Sequence, residues 1–136
     1  METGHVKVLD YVAAVDCGTP INPRLAEGQV EGAVANGIGY ALTEEYLFTA
    51  GGKVRNADLS RYKIPGTLDL PPIRVILVDS YEPTGPMGAK SIAEIGINGP
   101  APSIANAIYH AVGLRLTRTP FTPERVWRAL REAGIS

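Results

Sequence analysis

Cysteine is nearly absent from this sequence, where Cys17 stands alone. A single thiol makes no internal disulfide and cannot ligate an iron–sulfur cluster by itself, so a reducing, cytoplasmic setting is expected. Charge of one sign is lacking too. Thirteen Lys and Arg against fourteen Asp and Glu leave a formal net charge of −1 with no basic face, which argues against a nucleic-acid partner. No apolar run approaches the roughly 20 residues of a membrane span, and no signal-peptide core opens the chain. Phosphate loop, dinucleotide fingerprint, nucleophile elbow and zinc spacing are all missing, and Gly37-Ile38-Gly39 is too short to count as one of them. Neither histidine stands beside a candidate serine in any motif, and His110 has no second ligand at metal spacing, so no protein metal ligand is expected.

What remains is a chain of 136 residues, 45% hydrophobic, enough for one domain with a modest core. The apolar, β-branched run from His5 to Val15 predicts a long strand covered on both faces, ended by the turn Asp16-Cys17-Gly18-Thr19-Pro20. Glu2-Thr3-Gly4 is turn chemistry with no strand before it. The expectation is therefore that the chain is the terminal piece of a larger protein, or a small subunit that pairs with the rest.

Asn22 and Pro23 form a helix start, and Ala26, Val30, Ala33, Val34, Ile38, Ala41 and Leu42 recur at helical spacing, predicting a helix from Pro23 to about Glu44. Gly28, Gly32 and Gly39 with Ala35 make a strip of small residues on it, where something is expected to pack against the backbone. A hairpin or extended loop is expected around Gly51-Gly52. Ile73 to Val78 then reads as a strand placed centrally in a sheet. Pro102 to Val112 reads as an amphipathic helix ended by Gly113, and Thr122-Pro123 opens a last helix that Trp127 anchors. Strands and helices without strict βαβ alternation predict an α+β fold, with a mixed sheet, one long glycine-striped helix and two shorter C-terminal helices.

The stretch from Gly85 to Asn106 carries four glycines and three prolines, so it is a shaped loop rather than a regular element. Glu94 sits in it among Ile92, Ala93, Ile95 and Ile97. In one reading Glu94 is a surface residue that pairs with Lys90 four positions earlier. In the other, the isoleucines strip its hydration and make it a better proton acceptor near neutral pH. Gln29, beside the strip of small residues, reads by residue type alone as a solvated helix residue. Asn36, two turns on, is a further candidate lining residue.

Gly88-Ala89-Lys90-Ser91-Ile92-Ala93-Glu94-Ile95-Gly96, followed by Asn98-Gly99-Pro100-Ala101-Pro102, resembles the active-site end of the molybdenum hydroxylases, the family of xanthine dehydrogenase and aldehyde oxidase. A second stretch, Asp16-Cys17-Gly18 through Ile21-Asn22-Pro23 to Gly28-Gln29-Val30-Glu31-Gly32, is similar to the same family, as is Tyr62-Lys63-Ile64-Pro65. Together they cover nearly the whole chain. The resemblance implies the C-terminal segment of a molybdopterin-binding subunit, residues 1–136 as one domain, and a molybdenum-molybdopterin cofactor. It implies Glu94 as general base and Gln29 as a cofactor contact, with backbone groups of Gly88, Ala89, Lys90, Ser91 and Ile92 along the cofactor's other side. The reaction implied inserts a water-derived oxygen into a purine, another N-heterocycle or an aldehyde.

The family often has glycine where this chain has Ala93. Segments that supply the remaining cofactor contacts lie outside this sequence, as do the iron–sulfur and FAD modules that carry electrons away. The chain alone is thus expected to be inactive, with the remainder of the molybdenum-binding subunit and the iron–sulfur and flavin domains or subunits as its partners. Two other readings stay open at this stage, a non-catalytic assembly or binding module and a truncated fragment that keeps the fold.

Overall fold

The computed structural model describes residues 2–135. Their order is β1 (Tyr11–Val15), α1 (Pro23–Leu42), β2 (Ile73–Leu77), α2 (Pro100–Val112) and α3 (Pro123–Glu132), with 3-10 turns at Pro86–Gly88 and Ile95–Ile97. β1 and β2 pair in parallel, from Tyr11 opposite Ile73 to Val15 opposite Leu77. Parallel neighbours need a long crossover, which α1 and the loop after it supply. The α+β class holds. The sheet itself has two parallel strands, and among the described residues antiparallel pairing is confined to the isolated bridges Gly18 with Ala89 and Phe48 with Val54. The second of these closes the hairpin expected around Gly51-Gly52.

Both strands differ from their sequence expectation for one reason, which is the supply of neighbours. His5 to Asp10 alternates between exposed and half-buried residues as a strand would, yet β2 is only five residues long and pairs with Tyr11–Val15 alone. A strand with no partner has no ladder of hydrogen bonds. Nor are the strands covered on both faces. Ala13 and Val15 turn inward, while Val12, Ala14, Arg74 and Ile76 are exposed, so among the described residues the sheet has one open face.

Helix α1 begins as its sequence predicts. The Asn22 side chain accepts from the Leu25 N–H at 3.1 Å, and Pro23 follows at a position where a missing N–H costs nothing. It ends two residues before Glu44, because the N–H groups of Thr43 and Glu44 both turn back onto the Gly39 carbonyl at 2.9 Å. Val30, Val34 and Ile38 are almost wholly buried and meet Ile104 and Ile108 of α2 and Val126 and Leu130 of α3. Fully burying each such aliphatic side chain stabilises the fold by roughly 1.5–3 kcal/mol, and Ala13 and Val15 of β1 and Phe121 belong to the same core.

The glycine strip of α1 behaves unevenly. Gly28 and Gly32 face open space, whereas Gly39 is closed over by Glu44 and by Pro65, whose Cδ would lie 3.0 Å from an added Cβ. The closest helix contact belongs to Gly37 instead, where a Cβ would stand 2.5 Å from Cγ of Pro100. Helix α2 starts at Pro100, two residues before its expected start, since prolines 100 and 102 both fit in a first turn that needs no N–H donors. In α3 the expected anchor, Trp127, is 38% exposed with Arg131 over its ring, and Val126 and Leu130 fill the buried face. Arg125 joins α3 to the rest through Glu45 at 2.5 Å and the Pro120 carbonyl at 3.0 Å.

Candidate functional site

In open sheets with parallel strands, ligands gather beyond the carboxyl ends of the strands. Here β1 runs out into Asp16-Cys17-Gly18 and β2 into Val78, Asp79 and Ser80, and the loop from Glu82 to Ile97 folds across both exits. Backbone bonds fix the crossing. Thr19 N–H donates to the Gly88 carbonyl at 2.8 Å, Lys90 N–H to the Cys17 carbonyl at 2.8 Å, and Glu82 N–H to the same Gly88 carbonyl at 3.0 Å. Such close approach leaves no room for side chains. Gly18 and Gly88 both have positive φ, 63° and 79°, and a Cβ on the first would overlap the Gly88 carbonyl, on the second the Tyr81 ring. Between them the exposed Met87 also has φ 56°, an uncommon conformation for a residue with a side chain.

Asp16 collects the polar groups at this crossing. Its Oδ1 accepts from the Gly18 N–H at 2.9 Å and from the Ser80 hydroxyl, and its Oδ2 accepts from Lys90 Nζ at 2.6 Å. The Lys90 ammonium first, then Ser80 and Gly18, hold the Asp16 carboxyl well below the usual carboxylate range. Lys90 therefore pairs across the fold rather than with Glu94. The stretch between them is not helical, which removes the geometry that a local Lys90–Glu94 pair requires.

Beside this crossing lies a groove of about 480 Å³, with Ile21, Leu25 and Gln29 on one side and Ala89 to Ala93 on the other. Four of the five backbone positions expected to face a cofactor, Ala89, Lys90, Ser91 and Ile92, line it together with Gln29. Gly88 is buried at the crossing behind them and does not line the groove. Asn36 does not reach it either. Gln29 spans the groove's end, its Nε2 donating to the Ala93 carbonyl at 3.1 Å. Glu94 follows at once, exposed, leading into the 3-10 turn Ile95–Ile97. The isoleucines expected to dehydrate it do not do so, because Ile95 is itself 40% exposed and the buried member of the turn is Gly96.

The donor set suits an oxygen-rich, anionic group. Among the described residues, the N–H groups of Ser91, Ile92 and Ala93 have no acceptor, and the amide oxygen of Gln29 has no donor. Runs of free backbone N–H groups bind anions without requiring a charged side chain. A larger groove of about 580 Å³, between residues 3–10 and helices α2 and α3, has a mostly apolar lining, although among the described residues the backbone of residues 6–10 along it is unpaired as well. Asp16 and Ser80 had no role assigned from sequence. The Asp-Cys-Gly turn was the only signal for the first, and Ser80 is connected to it solely by tertiary contact.

Comparison with known proteins shows the family. A family model described as a molybdopterin cofactor-binding domain matches residues 1–71. The probable hypoxanthine oxidase XdhD of Escherichia coli (strain K12) is 45% identical over 131 residues, which are 96% of this chain and 14% of that protein. The putative xanthine dehydrogenase molybdenum-binding subunit XdhA of the same strain is 41% identical over 121 residues, 88% of this chain and 16% of that protein. Among solved structures, a reconstituted CO dehydrogenase from Oligotropha carboxidovorans superposes with a TM-score of 0.89 at 28% identity, over 98% of this chain and 17% of that one. The chain thus spans about a sixth of the length of these relatives. By its sequence and its fold, it belongs to the molybdenum hydroxylases, the family of xanthine dehydrogenase and aldehyde oxidase, with molybdenum-molybdopterin as the family's cofactor.

Proposed function

We propose that this chain forms the catalytic-base side of a molybdenum hydroxylase site, with Glu94 as general base and Gln29, Ala89, Lys90, Ser91 and Ile92 as cofactor contacts. The observation that supports the reading is the bond from Gln29 to the Ala93 carbonyl, which ties one side of the groove to the residue before Glu94, although Glu94 itself does not line the groove. The cofactor, when bound, supplies the redox step that no side chain here can perform. Gln29 binds it through an amide that keeps one acceptor free, and Ser91 and Ile92 bind it through backbone N–H groups. Gly88 acts from behind, as the residue that lets the wall lie close to β1. Glu94 takes up a proton at its carboxylate as the substrate, a purine, another N-heterocycle or an aldehyde, gains a water-derived oxygen.

Exposure of Glu94 bears on the isolated chain. A base open to water gains nothing from desolvation, and this chain spans only about a sixth of its relatives' length. We propose that activity requires the remainder of the molybdenum-binding subunit to close the groove, and iron–sulfur and flavin partners to remove electrons. The test is Glu94→Gln in the molybdenum-loaded enzyme. Turnover should fall by about 10²–10⁴-fold, the usual contribution of a general base, with metal content unchanged. Wild-type turnover would remove Glu94 from the role.

A further inference from the structure

Three segments of the chain are joined at one carboxylate that does not line the groove. Asp16 closes the exit of β1 through the Gly18 N–H, holds the exit of β2 through the Ser80 hydroxyl, and holds the glycine-rich loop through Lys90 Nζ at 2.6 Å. The backbone crosses at the same place, with the Lys90 N–H on the Cys17 carbonyl and the Thr19 N–H on the Gly88 carbonyl, both at 2.8 Å. Side-chain and backbone bonds therefore fix the position of Lys90 from both of its ends. Immediately after it come the three free N–H groups of Ser91, Ile92 and Ala93, and then Glu94. Among the described residues, nothing else of comparable polarity holds this wall on its β-strand side. On its far side the Gln29 amide reaches it.

We propose that Asp16 is a positioning residue for the cofactor site, acting through Lys90 to set where the Ser91–Ala93 donors and Glu94 stand. The inference rests on the reading of the groove as the cofactor site. Asp16 touches neither cofactor nor substrate in this account. It matters because donor geometry is set by whatever orients the donors, and losing such an orienting group commonly lowers metal affinity or activity by about 10–100-fold. The two charges are also matched in reach. Asparagine at position 16 would still accept from Gly18 and Ser80 while losing the charge that holds Lys90, so Asp16→Asn isolates the link to the loop.

The experiment measures three quantities on the holoenzyme for Asp16→Asn, Lys90→Met and the double variant: molybdenum per chain after dialysis, thermal midpoint, and kcat and KM separately. The expected result is a loss of retained molybdenum on the order of tenfold in each single variant, with kcat lowered in the loaded fraction and KM nearly unchanged. The double variant should lose no more than either single one, because both break the same link. The pair is exposed at the surface, so the midpoint should hardly move. Ser80→Ala, which removes one donor and no charge, should show a smaller loss of the same kind and serves if the charge variants fold poorly. Full metal retention with normal kcat in Asp16→Asn would overturn the proposal, as would losses that add in the double variant or a lowered midpoint with metal retained. Glu94→Gln measured alongside keeps the two readings apart: normal turnover there removes the base assignment, whereas metal retention in Asp16→Asn answers only for Asp16.

Discussion

The Gln29 side-chain amide donates to the Ala93 carbonyl at 3.1 Å and so ties helix α1 to the residue before Glu94, across 64 positions of sequence. One bond thereby fixes both the amide and the approach to the carboxylate.

Gln29→Ala tests both ends of that bond. The fold should lose only about 1 kcal/mol, since the contact is exposed and water can replace it. Metal retention and turnover should fall together, because a cofactor contact and the placement of Glu94 are lost at once. Mass spectrometric molybdenum content with steady-state kinetics decides it, and a fully loaded, fully active Gln29→Ala enzyme would remove Gln29 from the site.

The glycines of α1 should respond with opposite signs. Gly37→Ala pushes a methyl to 2.5 Å from Pro100 and should destabilise the chain by about 1–3 kcal/mol, although alanine is the better helix former. Gly28→Ala and Gly32→Ala meet nothing within 4 Å in this chain and should stabilise it by about 1 kcal/mol each. Denaturant unfolding of the three variants gives the comparison. A Gly28→Ala that stabilises the chain but weakens the complete enzyme would show that another segment packs on the strip.

Tyr62 offers a check on the loop beside α1. Burial first, and then the nearby Glu44 carboxylate, push its hydroxyl up to about 12. A folded value above the unfolded one contributes stability that is complete below about pH 10 and is lost as pH rises through about 12. Ultraviolet titration of tyrosinate should show a late transition near pH 12 that Tyr62→Phe abolishes. Its persistence in the variant would assign that transition elsewhere.

Thr122→Ala should cost about 1 kcal/mol by removing the oxygen that accepts from the Arg125 N–H at 3.3 Å. The same change should loosen the Arg125 contact with Glu45, and hydrogen exchange across residues 122–126 would report it. Unchanged exchange there would mean that Pro123 and packing alone hold the helix start.

Much of this was present in the order of residues. Asn22-Pro23 and Thr122-Pro123 announce helix starts by local chemistry, and the burial of Val30, Val34, Ile38, Ile104 and Ile108 follows from helical spacing. The resemblance also points to Gln29 and Glu94 as candidate site residues. These are local or pattern properties, which a sequence carries directly.

Only the tertiary structure decided what each of those residues meets. Strand length was set by β2, because a strand exists only where a neighbour completes its hydrogen bonds, so His5 to Asp10 stayed unpaired. Lys90 looked like the natural partner of Glu94 at four residues' distance and instead reached Asp16, 74 positions away, because the loop between is not helical. Gly37 rather than Gly28 proved to be the close-packed glycine, since contact depends on where Pro100 of α2 arrives. The exposure of Glu94 likewise depends on the chain that surrounds it. Apolar neighbours in sequence exclude water only when the fold places them over the carboxylate, and here Ile92, Ile95 and Ile97 do not cover it.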